Sequence, residues 1–227
     1  MNDSLQTLAK PLVEEQSFSL WQLITSGGWF GNIIMLSIFV LFLVAIFIFF
    51  ERLFAIKKNT LTNPDLVNHI RDFVHDGKLE SAIDYCRRTN SPESRMIQKG
   101  LQRIGRPIAE ISAAIENTGQ LEVYRLEKNI NTLATIAGAA PMLGFLGTVI
   151  GMIMAFHDMA NVEGPVSAKL LSSGIYTAMV TTAAGLIVGI PAYIFYNLLV
   201  VKVEKAIYKM QTSVTDFLDI LNKPISK

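Results

Sequence analysis

The chain has one cysteine, Cys86, so it carries neither a disulfide framework nor a cysteine-built metal site. A net charge of +1 says nothing about nucleic acid, but no basic stripe with interleaved aromatics appears, so no nucleic-acid partner is expected. There is no Walker loop, no HExxH, no nucleophile elbow and no paired carboxylates within an apolar stretch, so an enzyme is the weakest reading and no cofactor or metal is expected. The polar, mixed first 29 residues and the late, long apolar run after them do not fit a signal peptide. The most informative absence is that of charge. Residues 16–50, 129–157 and 170–201 contain no Asp, Glu, Lys or Arg.

A bilayer core of about 30 Å takes about 20 apolar residues in a helix. Each charge-free run is long enough to cross once and too short to cross twice with a turn. The fold class is therefore an all-α membrane protein with three transmembrane helices. The charges left over sort by side. Of 20 Lys and Arg, 13 lie within 51–128 and 5 lie beyond residue 201, leaving Lys10 and Lys169. The positive-inside rule then places the central segment and the C-terminus in the cytoplasm and the N-terminus and the 157–169 loop outside. The expected organisation is a periplasmic or interfacial segment over 1–29 and a first span over 30–50. A cytoplasmic helical domain over 51–128 follows, then a second span over 129–156 and the outer loop over 157–169. The third span covers 170–201, and a cytoplasmic helix extension covers 202–227.

The first span is rich in Phe, Ile, Leu and Val on every side, as suits a helix facing lipid. Before it, Ser17–Trp29 reads either as an interfacial helix with Trp21 and Trp29 at the headgroups or as an ordinary lead-in. In the insert, Pro64 opens a helix that Asp76-Gly77 breaks, Leu79–Arg88 forms another, and Ser91-Pro92-Glu93 caps a third that ends near Gly105. From Pro107 the apolar positions recur at helical spacing, and nothing before the second span interrupts them. A continuous helix from Pro107 to Phe156 would extend on the order of 75 Å, well past a bilayer.

The second and third spans differ from the first. Gly144, Thr148 and Gly151 fall at i, i+4 and i+7, with Gly147 beside them. On the third span Ser173, Thr177 and Thr181 form one i+4 row, and Ala178, Thr182, Gly185 and Gly189 form the next. Small stripes of this kind let helices approach closely where lipid supplies no hydrophobic drive between them. Pro141 and Pro191 mark expected kinks. The hydroxyls of Thr148, Thr177, Thr181 and Thr182, with Tyr176 alongside, admit two readings. They bond to their own backbone, or they line a hydrated path. Spacing alone does not choose. A titratable group inside a span costs about 3 kcal/mol on insertion scales, and these spans contain no Asp, Glu, Lys or Arg. Any carboxylate relay must therefore come from a partner. His157, at the outer end of the second span, reads as an interfacial histidine.

The stretches Ala140–Phe156 and Gly174–Asn197 resemble the ExbB/TolQ/MotA family of proton-channel subunits, ExbB and TolQ most of all. The resemblance implies a pentamer embedded in membrane lipid around the single spans of an ExbD-like partner dimer, whose Asp takes up and releases protons. It also implies a TonB-like protein as the recipient of the work, in the cell inner membrane. By the same resemblance the family's threonines fall on Thr148 and Thr182, with Thr181, Thr177 and Tyr176 near the proton path. Where many relatives carry a glutamate, this chain has Thr177. The function so implied is an ExbB-like energiser of outer-membrane transport. A TolQ-like envelope motor, a MotA-type stator and a passive membrane scaffold are the alternatives. Three spans rather than four weigh against the stator, and intramembrane threonines against the scaffold.

Overall fold

The computed structural model of the chain describes residues 28–59, 65–161 and 168–222. The readings placed on Trp21 and Pro64 lie outside them. Among the described residues there are seven helices and no strand: α1 (Gly28–Asn59), α2 (Leu66–His75), α3 (Leu79–Thr89), α4 (Pro92–Leu101), α5 (Ile108–Glu127), α6 (Ile130–Ala160) and α7 (Ala168–Asn222). Three stretches are long and apolar enough to cross a membrane, Trp29–Lys57, Ile108–Ala160 and Gly174–Asn222. This is the all-α architecture with three spans that the charge-free runs imply.

α1 packs across α6 and α7. Its buried residues Ile34, Ile38, Ala45 and Ile48 recur at spacings of four, seven and three, which is one stripe of a helix. The opposite side carries Leu36, Phe39, Leu43, Phe47 and Phe50, all exposed in the single chain. Large apolar side chains there suit contact with acyl chains. On the packed side, the Phe49 ring stacks on Phe195 of α7 with centroids 4.0 Å apart.

The insert is set by its turns. Gly77 takes φ +71° between α2 and α3, a conformation that costs glycine nothing. Ser91 caps α4, its hydroxyl accepting from the Ser94 N–H, while the Ser94 hydroxyl accepts from the Ser91 N–H, and Pro92 occupies the first turn. The helix expected to run from Pro107 through the second span is interrupted. Lys128 is extended (φ −49°, ψ 132°) and Asn129 is left-handed (φ 63°), so α5 ends and α6 starts anew. Asparagine is one of the few residues that enters this region at low cost, and apolar periodicity is blind to it. α7 has no such break. At 55 residues it runs about 80 Å and projects far past the membrane.

The insert folds against that projection. Phe217 of α7 is fully buried, and a β-carbon on Gly100 of α4 would lie 2.8 Å from its ring and 2.7 Å from Ile115 Cδ1 of α5. Glycine at 100 is what lets α4, α5 and α7 meet. Burial pushes the Cys86 thiol up to about 12, so it stays a neutral core group.

A buried carboxylate ties the insert together. Glu122 of α5 is 3% exposed and accepts from Arg95 Nε (2.9 Å) and Nη2 (2.5 Å) and from Arg125 Nη1 (2.7 Å). Arg95 also donates to the Asn90 carbonyl and side chain, at 2.7 and 2.9 Å, where Asn90 ends α3 in the left-handed region. Glu122 and Arg95 together thus link the end of α3 to α4 and α5. We expect Glu122→Gln to destabilise the insert by about 1–3 kcal/mol, because both arginines reach solvent and are not left wholly unpaired. Thermal unfolding followed by circular dichroism in detergent checks it, and an unchanged midpoint would remove the network from the account.

Candidate functional site: the seam between the second and third spans

α6 and α7 run antiparallel and share the most extensive contact among the described helices. Down the seam, Ala155 meets Gly174, Gly151 meets Ala178, Gly144 meets Thr181 and Gly185, and Pro141 meets Gly189. Added β-carbons show how close the backbones are. At Gly144 one would lie 2.8 Å from the Thr181 carbonyl oxygen, and at Gly185 one would lie 2.6 Å from that of Ala140. At Gly147 it would strike the Thr181 side chain at 2.5 Å, at Gly151 the Ala178 methyl at 2.9 Å, and at Gly189 the Pro141 ring at 2.5 Å. Pro141 therefore sits in a notch that Gly189 leaves. Pro141 and Pro191 both lie inside their helices, which continue past them.

Three hydroxyls converge in this seam. The Thr148 and Thr182 hydroxyls are in direct hydrogen-bond contact across the two helices. Thr182 Oγ1 lies 3.1 Å from the Gly144 carbonyl, and Thr148 Oγ1 lies 3.3 Å from the same oxygen and from that of Ala178. Thr181 donates to the Ala178 carbonyl at 2.7 Å and is 3.3 Å from that of Gly144. Each hydroxyl has one proton and can also accept. With Thr181 committed to Ala178, the pair has two arrangements of equal bond count. Either Thr148 donates to Thr182, which donates to Gly144, or the order reverses.

Exposure separates the three. Thr181 is 2% exposed and lies inside the seam, while Thr148 and Thr182 are half-buried at its edge. Thr177 is half-buried one turn before Thr181, and Tyr176 is exposed beside it. The Ser173 side chain is outside the described residues. His157 is exposed near the end of α6, next to Asn161 and Asp158. Among the described residues no group of His, Cys, Asp or Glu is placed to hold a metal ion.

The sequence profile of the MotA/TolQ/ExbB proton channel family matches residues 88–212, which take in α4, α5, α6, all but the last ten residues of α7 and the whole seam. The chain belongs to this family. A putative biopolymer transport protein ExbB homolog of Methanothermobacter thermautotrophicus is 26% identical over 162 residues, 71% of this chain and 57% of that protein. The biopolymer transport protein ExbB of Aquifex aeolicus is 41% identical over 97 residues, 41% of this chain and 64% of that protein. The Tol-Pal system protein TolQ of Pseudomonas aeruginosa is 25% identical over 218 residues, 91% of this chain and 94% of that protein. The chain thus spans less than two thirds of the first two relatives' length. As a member of a proton channel family with three helices long and apolar enough to cross a membrane, it is a multi-pass membrane protein.

For a proton channel family the chemistry of the seam is restricted. Threonine hydroxyls pass hydrogen bonds and hold water, but they do not titrate near neutral pH. Two parts of the arrangement go beyond the residues singled out from the sequence. The Gly144 and Ala178 carbonyls act as the acceptors around which the hydroxyls gather, and backbone groups leave no mark in a motif. Gly174, facing Ala155, extends the α7 row at Ala178, Gly185 and Gly189 by one turn. Four-residue spacing from Ala178 was the signal for it.

Proposed function

We propose that the chain is the ExbB-like subunit of an inner-membrane motor driven by the proton-motive force, with its insert and C-terminus in the cytoplasm. It would assemble as a pentamer around an ExbD-like single-span dimer and energise a TonB-like protein. The observation that carries this is the Thr148–Thr182 contact at the edge of a seam whose spans bear no Asp, Glu, Lys or Arg. A hydroxyl pair with two equivalent donor orders suits a site facing a carboxylate that alternates between donor and acceptor. The carboxylate has to arrive on another helix. One charge moving across the membrane is worth about 2.3 kcal/mol per 100 mV, so a few protons match the scale of a protein rearrangement.

The test removes the hydroxyls at nearly constant volume. Thr148→Val and Thr182→Val each leave the glycine contacts of the seam in place, and the remaining hydroxyl keeps the Gly144 carbonyl as partner. We expect stability within about 1 kcal/mol of the parent, normal expression and assembly, and loss of energised uptake. Wild-type uptake in both variants would assign the threonines to packing alone.

A TolQ-like envelope motor is the second reading, favoured by the Pseudomonas aeruginosa TolQ alignment across 91% of the chain. A deletion strain separates the two. Loss of receptor-dependent uptake supports the first, and leakage of the outer membrane with uptake intact supports the second.

A further inference from the structure

A groove of about 550 Å³ opens between α5 and the projecting part of α7. Gly119, Met210 and Val214 contribute to its apolar lining, and Gln120 and Gln211 also border it. Its charged residues are Glu116 and Glu127, and among the described residues lining it there is no Lys, Arg or His. In a chain with 20 Lys and Arg against 19 Asp and Glu, that is a local excess of one sign. The two glutamates are eleven residues apart on α5, which puts them within about 20° on one face and about 16 Å apart along the axis. Both are exposed.

The groove also lines up with the threonine pair. Gln211 follows Thr182 by 29 residues on the uninterrupted α7, so it returns to within about 20° of the same helix face, roughly 44 Å further along. A polypeptide whose span lay against Thr148 and Thr182 would reach this groove on leaving the bilayer. On the cytoplasmic side the stretch flanking a span is enriched in Lys and Arg, the sign opposite to the groove.

We propose that the α5–α7 groove seats the basic stretch adjoining the membrane span of the single-span partner, with two cations placed about three helical turns apart against Glu116 and Glu127. This rests on the partner arrangement of the proposed function. The occupant is held by an apolar strip flanked by charge pairs, so the insert positions the partner as well as the bilayer segment does.

The test uses the full chain co-expressed with its cognate single-span protein in native membranes. The photo-crosslinker p-benzoylphenylalanine replaces Gln211 at the groove or Met179, an exposed position one turn before Thr182. The expected result is a Gln211 adduct with the partner, mapped by mass spectrometry to its basic stretch. The double variant Glu116→Lys, Glu127→Lys should lower that yield about tenfold, the effect of two modest surface charge pairs together, with the oligomer and the Met179 adduct unchanged. An adduct from Gln211 to a second copy of this chain would make the groove a subunit interface and overturn the proposal. So would a yield indifferent to the charge reversal. Capture of the partner at Met179 but not at Gln211 defeats the groove proposal alone. Capture at neither defeats it together with the reading on which it rests.

Discussion

Replacing Gly185 by alanine should loosen the α6–α7 seam, while the same change at Gly138 should be harmless. The added carbon at 185 would stand 2.6 Å from the Ala140 carbonyl oxygen, 3.1 Å from Gly144 Cα and 3.3 Å from the Ala140 carbonyl carbon. All three are backbone atoms, so no rotamer change makes room and the helices must part. Overpacking of this kind costs about 1–3 kcal/mol, and Gly185→Leu should exceed that. At Gly138 and Gly31 a β-carbon meets nothing within 4 Å. Alanine there should leave stability unchanged or raise it by about 0.5–1 kcal/mol through helix propensity. Gly119 falls between, since the obstacle is the flexible tip of Met96 at 2.6 Å. Thermal stability in detergent, with native mass spectrometry for assembly, ranks the set as Gly185, then Gly119, then Gly138. Equal melting of Gly185→Ala and the parent would mean that the seam is looser than these distances.

The second large effect is on proton current. Liposomes carrying this chain alone should conduct no more than empty ones, and the complex with an ExbD-like partner should conduct. A complex in which the partner's span Asp is changed to Asn should return to background. Residues 129–157 and 170–201 contain no Asp, Glu, Lys or Arg. The exposed faces of α6 and α7 present Met142, Phe145, Ile153, Ile187 and Ile190, and a lumen lined by such side chains favours dewetting over a water wire. Flux measured with a pH-sensitive dye under an imposed potential reads all three preparations. Equal flux in the three would place the whole path in this chain and refute the division of labour.

Several features of the molecule were legible before any coordinates. The three spans follow from stretches without charge, because the bilayer sets a length and excludes ions whatever the surroundings. The breaks at Gly77 and Ser91 are local too, since a left-handed turn or a capping hydroxyl is a property of one or two residues. The small-residue rows at Gly144, Gly147 and Gly151 and at Gly185 and Gly189 stood out by spacing. Their register did not. Nothing within either span says that Gly151 should meet Ala178 or that Pro141 should sit in the notch at Gly189. Those pairs are about 30 to 50 residues apart, and the match depends on the summed contact of two whole helix faces.

The same holds for the hydroxyls. Thr181 and Thr182 are neighbours of one residue type, yet one lies within the seam and the other at its edge beside Thr148. Only the rotation of α7 against α6 decides that. Asn129 could sit in a helix or break one, and apolar periodicity does not say which. Sequence alone determined what the chain can hold in a membrane: three apolar crossings, intramembrane hydroxyls and no charge within the charge-free runs. Which hydroxyls meet, where the second span parts from α5, and how Glu122 and Arg95 join three helices were left to tertiary structure. Each is a contact between distant residues, and its free energy exists only once both partners are in place.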